Sequence, residues 1–199
     1  NAGTEYSVPA FGILRSSVVS WYRAVLASLM GLTLERPVFA AAPTLVGSFP
    51  HTDPEALTDR ILERFKDMPA WPQMPVRDWA ESMYVQYSEG LPGAVVDRQG
   101  QRIHFRCDDR FHSQLEEFYH AVVGEDVERF AIGEDYARGL HVFLDRLARL
   151  GSGGLKWVKG QVTGPFSFAM TVTDENKRSL AYNPELYEVA VQGMAMKAR

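Results

Sequence analysis

The sequence predicts an α/β chain built from strand, loop and helix units, and three stretches carry that expectation. Thr44-Leu-Val-Gly-Ser-Phe-Pro-His-Thr-Asp-Pro-Glu55 sets a short apolar run before a Gly-Ser-Phe-Pro turn and a helix start. Residues 134–150 repeat apolar side chains at helical spacing, and Gly151-Ser-Gly-Gly154 stops them. Residues 155–168 then read as a further strand running into a polar loop. A strand that turns directly into a capped helix is half of a βα unit, and right-handed crossovers bring the carboxyl ends of successive parallel strands to one rim.

Composition narrows the classes. With 199 residues, 46% of them apolar and 23% charged, the chain can bury a sizeable core and falls outside the disordered class. One domain with an appendage is expected: an arm over residues 1–43 and a βα body over residues 44–199. A net charge of −4 without clustered Lys or Arg gives no nucleic-acid footprint. The single cysteine, Cys107, leaves no internal disulfide and fits a reducing cytoplasm. No run of roughly eighteen apolar residues is present, so no membrane helix is expected. Arg15, Arg23, the apolar run from Ala24 to Leu32 and Ala40-Ala-Ala42 imitate a secretory signal, but Glu35 and Arg36 interrupt the pattern before the cleavage-like site.

The elements follow in order. Residues 1–15 are irregular. Ser16 or Ser17 caps an amphipathic helix carrying Val18, Tyr22, Val25, Leu26 and Leu29, which Gly31 ends. Leu45 and Val46 are strand-like. Thr52-x-x-Glu55 has capping-box spacing, and Leu57, Ile61, Leu62 and Phe65 form the apolar face of the helix behind it. Pro69, Pro72 and Pro75 exclude a long strand and leave an extended stretch ending in a rigid loop, with Trp71 and Gln73 beside the same site as Ser48. A short helix over residues 77–86 precedes the Ser88-Glu-Gly-Leu-Pro-Gly93 turn. Ala94-Val-Val-Asp97 and Arg102-Ile-His-Phe-Arg106 make an inserted β-hairpin. Asp108 or Asp109 caps a helix striped by Phe111, Leu115, Phe118 and Val122. Residues 157–162 form a parallel strand that delivers Gly160, Gln161 and Thr163 to the rim of the first turn. Asn183-Pro184 opens a last helix with Leu186, Val189 and Ala190 inward.

Three segments together carry a family resemblance: Val46-Gly-Ser-Phe-Pro-His-Thr52; Trp71-Pro-Gln-Met-Pro75 with Tyr84-Val-Gln-Tyr-Ser-Glu-Gly-Leu-Pro-Gly93; and Lys159-Gly-Gln-Val-Thr-Gly-Pro165. Their order and spacing resemble the cobalamin-independent methionine synthase family, in particular its compact methionine-synthase-like members, and more distantly uroporphyrinogen decarboxylase. The resemblance spans about residues 44–199. It implies a (β/α)8 TIM-type barrel, of which this chain is the N-terminal half with an inserted hairpin and a helical arm. It further implies methyl transfer to a thiol such as homocysteine. In that family the turn after the first strand binds the substrate's amino-acid end, and Val46, Gly47 and Ser48 stand in that place. His51 stands where the long synthases usually carry Gln. Glu89 corresponds to an acidic residue that would hold the substrate ammonium, and Gln161 and Thr163 offer polar groups to the same pocket.

The resemblance also implies what is missing. The family's zinc ligands and its Asp-Glu-Pro motif come later than these segments, and a barrel needs roughly 250 residues. Zinc is therefore expected in a full-length family member and not from this chain. The catalytic residues stay unknown. Two alternatives remain open: a non-catalytic binding or assembly module that dimerises through an open barrel edge, and a uroporphyrinogen-decarboxylase-type enzyme, weakened by the lack of an arginine cluster at the rim. Other readings compete residue by residue. Ser48 and His51 also fit simple turn and cap roles, and Glu89 fits a solvated loop charge. Trp71 fits either pocket wall or core. His112, Glu116 and His120 have a spacing that could bind zinc, but also that of an exposed helix face. Cys107, between Arg106 and Arg110, could have a depressed pKa or be inert.

Overall fold

In a computed structural model, the structure describes residues 42–150, 155 and 157–199. The expected arm and helix over residues 1–31, the signal-like pattern, and the Gly151–Gly154 stop lie outside the described residues. The described chain is a mixed α/β fold: α1 (Pro54–Arg64), α2 (Met83–Ser88), β1 (Ala94–Asp97), β2 (Arg102–Phe105), α3 (Phe111–Val123), α4 (Arg138–Leu150), α5 (Pro165–Thr171), β3 (Thr173–Asp174) and α6 (Pro184–Lys197). Single 3-10 turns occur at Trp79–Glu81, Val127–Phe130 and Leu180–Tyr182.

Three extended segments organise one end of the molecule. Ser48 bridges Gln73 in parallel, and Ala70 bridges Lys159 in parallel, so the segment around Ala70–Gln73 lies between the other two. The backbone bonds are Phe49 N–H to Gln73 O at 2.8 Å and Lys159 N–H to Pro69 O at 2.9 Å. The full strands expected around Leu45–Val46 and over residues 157–162 shrink to these single bridges. Pro69 and Pro72 explain the loss: each lacks the N–H that a continuing ladder would use. What backbone pairing cannot supply, a side chain does. Lys159 Nζ donates to Leu45 O at 2.5 Å, crossing the central segment beside fully buried Ala70.

The helices cover this array. α1 packs on α4, with Leu62 against the cluster of Trp71, Ala137, Phe143 and Leu147, while Leu57 and Ile61 of α1 bury around Met74. Trp71 is therefore core. Arg146 reaches Asp59 at 2.7 Å and Arg138 reaches Glu55 at 3.1 Å along the same seam. α4 lies close on the central segment because Gly139 has no side chain: a β-carbon there would overlap the Pro72 carbonyl oxygen. The larger core joins Tyr87, Phe105, Phe111, Phe118, Phe130 and Phe168 to Leu186, Val189 and Ala190 of α6. Phe105 and Phe168 meet edge to face, with ring centroids 6.2 Å apart.

The hairpin forms as expected, β1 and β2 pairing antiparallel from Ala94↔Phe105 to Asp97↔Arg102, while β3 adds in parallel to β2. Asn183 caps α6 by accepting from Glu185 and Leu186 N–H, with Pro184 in the first turn. Other boundaries move for local reasons. Asp53, not Thr52, caps α1, accepting from Ala56 N–H at 3.0 Å. The helix expected over residues 77–86 splits, because Asp78 caps a 3-10 turn and Glu81 faces inward to Arg77 and Met74 N–H. Neither Asp108 nor Asp109 is the N-cap of α3. Arg110 holds that position, and Asp108 accepts from its N–H at 3.0 Å. α4 begins at Arg138 instead of Glu134, and the residues before it form turns in which Tyr136 and Ala137 N–H bond back to Gly133 O.

The close approach at Gly139 sets a measurable cost. Gly139→Ala gains up to about 1 kcal/mol of helix propensity. It should nonetheless lower stability in urea unfolding, because pushing α4 off a backbone carbonyl costs about 1–3 kcal/mol.

The central segment carries a second test. Gln73 Nε2 donates to Gln86 Oε1 at 2.6 Å and Gln86 Nε2 donates to the Tyr136 carbonyl at 2.8 Å, with both glutamines buried. Gln86→Leu orphans two buried groups at about 1–3 kcal/mol each. The expected outcome is a lower urea midpoint with an unchanged m-value.

Candidate functional site

The parallel register ranks the loop residues. Counting from Ser48↔Gln73 and Ala70↔Lys159, Gly47 stands level with Pro72 and Gln161, one segment on each side of the centre. Side chains alternate along an extended chain, so Lys159, Gln161 and Thr163 share one face. Lys159 spans from that face to the first segment, showing that the outer segments lie within one lysine's reach of each other.

Gly47 has φ +105°, where a β-carbon would be strained, and nothing lies within 4 Å of the space such a carbon would occupy. The first loop thus combines an open backbone with an exposed Ser48 and leads into His51, whose ring meets Phe49 at 6.2 Å. Val46 is 84% exposed and contributes no wall. Thr163 is buried. Two buried polar atoms here have no hydrogen-bond partner: Nδ1 of His51 and Nε2 of Gln161. Behind them Tyr87 fixes the third segment, its hydroxyl donating to the Gln161 carbonyl at 2.5 Å, and burial pushes that hydroxyl's pKa up.

Gly47, Ser48, His51, Gln161 and Thr163 thus come from loops at the same end of the two outer segments. Glu89 has different company. Its Oε2 accepts the Gly133 N–H at 2.7 Å, and it lines a cavity of about 370 Å³ with Arg129, Glu117, Gln114 and Tyr136. Lys159 and Tyr87 were not singled out in the sequence. A lysine between Val158 and Gly160 in an apolar strand was the available signal for Lys159; nothing marked Tyr87 as different from other core aromatics.

Among the described residues no three His, Cys, Asp or Glu side chains converge on a point where a metal could sit. His112, Glu116 and His120 line the exposed side of α3, while Phe111 and Phe118 face the core. Cys107 is exposed, and its thiol is not activated by the flanking arginines. Burial pushes its pKa up, and Glu175, Glu185, Asp174 and Asp108 push it the same way. No helix among the described residues is long and apolar enough to cross a membrane. Comparison with protein-family models, curated proteins and solved structures finds no significant match.

Near Glu89, Lys197 at the end of α6 donates to the Phe130 carbonyl at 3.0 Å. Burial lowers its pKa to about 8 from 10.5, with Glu89 pulling the other way. The unfolded chain therefore keeps this proton over a range in which the folded chain has released it, so stability should rise as pH climbs from about 8 toward 10.5. Urea midpoints measured at about pH 7 and about pH 9.5 should show the rise, and Lys197→Met should flatten it.

Proposed function

We propose that this chain is the N-terminal part of a methionine-synthase-like methyltransferase, contributing the loop that holds the amino-acid end of a thiol substrate such as homocysteine. The observation that carries the reading is the rank of Gly47, Ser48, Gln161 and Thr163 at one end of three parallel segments, with open space at Gly47. In this reading the segments are the first three strands of a (β/α)8 barrel. α1 and α4 cover the crossovers, and β1–β2 is an insertion. The sequence resemblance supplies the family, and the register supports the arrangement its substrate loop would need.

The chemistry divides accordingly. The residues of this chain bind and orient: Gly47 lets backbone approach a small ligand, Ser48 offers a hydroxyl and N–H, and His51, Gln161 and Thr163 supply further polar groups. Activation of the thiol by zinc belongs to residues of a full-length family member. A thiol substrate fits a reducing, cytoplasmic setting.

Calorimetric titration of the purified chain with L-homocysteine tests the proposal. Binding is expected, and Ser48→Ala should weaken it by about two- to tenfold, the worth of one hydrogen bond. A well-folded chain with no measurable binding of L-homocysteine or L-methionine would sink the reading.

One observation favours assembly as a second reading. Phe166, Met170 and Val162 are 63%, 45% and 42% exposed on and before α5, leaving large apolar side chains open to a partner. If assembly through these side chains dominates, sedimentation gives a dimer that Phe166→Glu dissociates; a monomer at all concentrations removes this reading.

A further inference from the structure

The open side of α5 carries no charge. Phe166 and Met170 stand one turn apart on it, 63% and 45% exposed, while Phe168 is buried on the opposite side. The other exposed residues of α5 are Ser167 and Thr171, and the helix holds no Asp, Glu, Lys or Arg. The 3-10 turn Leu180–Tyr182 packs against α5 and adds Tyr182, 62% exposed, with the Arg178 guanidinium over its ring at 5.7 Å. A helix face turned to water ordinarily presents charged or polar side chains; two large apolar ones, with an aromatic on the adjoining turn, mark a surface that something covers.

The sequence upstream of the described residues supplies a matching stripe. Val18, Tyr22, Val25, Leu26 and Leu29 recur at helical spacing, and between Arg15 and Glu35 the only charged residue is Arg23. We propose that this stretch, residues 16–31, is the cover of α5. Its stripe lies on Phe166 and Met170 as an amphipathic helix lies on an apolar groove, through side chains spaced i, i+4 and i+7. Length allows it. Gly31 stands eleven residues before Ala42, the first described residue, and a linker of that length spans up to about 36–40 Å. The first and third segments stand about 10 Å apart with the central one between them, and the third runs about 20 Å from the level of Leu45 to the start of α5. The linker covers that distance and still clears a helix about 10 Å thick. Tethering decides between occupants. A stripe on so short a linker meets the face at a roughly millimolar effective concentration, far above that of a second copy in a micromolar solution. With α5 covered from within, the chain stays monomeric.

Hydrogen–deuterium exchange on the full chain, read over residues 165–171 and over residues 18–29, tests the cover from both sides. Leu26→Glu, within the stripe, should speed exchange in α5 by at least about tenfold, the effect of withdrawing one large apolar side chain from its contact. Ser20→Glu, on the opposite side of the same helical spacing, should leave α5 unchanged. Phe166→Glu should act in reverse and speed exchange over residues 18–29. The amides of the β1–β2 hairpin should keep their rates in all three variants, which shows that the body remains folded. Sedimentation of the unaltered chain should give a monomer. The same α5 exchange in Leu26→Glu and in the unaltered chain, or residues 18–29 indifferent to Phe166→Glu, would overturn the proposal. So would a dimer that Phe166→Glu dissociates, since the face would then belong to a second copy.

Discussion

The central segment Ala70–Gln73 is the constraint on which the rest depends. It is buried, flanked on both edges, and so rich in proline that it contributes few backbone bonds to either neighbour. Its position is set by side chains instead. Trp71 enters the cluster of Phe143 and Leu147, Met74 enters that of Leu57 and Ile61, and Gln73 is tied through Gln86 to the Tyr136 carbonyl. Each contact comes from a different helix or loop, so moving the segment would disturb α1, α2 and α4 together.

That dependence explains the geometry of the site. The outer segments owe their alignment to the central one, and the loops at their carboxyl ends inherit it. Glu81 extends the same control to the loop after Gln73. It is fully buried, accepting from Met74 N–H at 3.2 Å and from Arg77 Nε at 2.6 Å. Burial raises its pKa and the Arg77 contact opposes that rise, the balance expected of an internal carboxylate kept with a hydrogen-bonded partner.

Much of this was legible in the sequence where local chemistry decides. The hairpin followed from alternation around Arg98-Gln-Gly-Gln101, and α6 from Asn183-Pro184. Where two neighbouring residues could serve, the sequence did not choose: Thr52 and Asp53 both suit a cap, and the side chain that reached Ala56 N–H was Asp53. Strand length was legible only in part, since Pro69 and Pro72 marked the limits of their own segment and not the loss imposed on its partners. The site residues were visible as motif positions. Their grouping needed the register, which is a long-range property, and it left Glu89 with Gly133 rather than with Ser48.

The Lys159 strap has a kinetic side. It joins residues 114 apart in sequence, whereas the cap and turn contacts of α1 span a few residues. A contact of such long sequence separation carries more loop-closure cost than a local cap or turn. The first segment can form its turn and helix early, but it acquires its final support only when the third segment arrives. The first loop thus draws part of its order from a contact that spans 114 residues of chain.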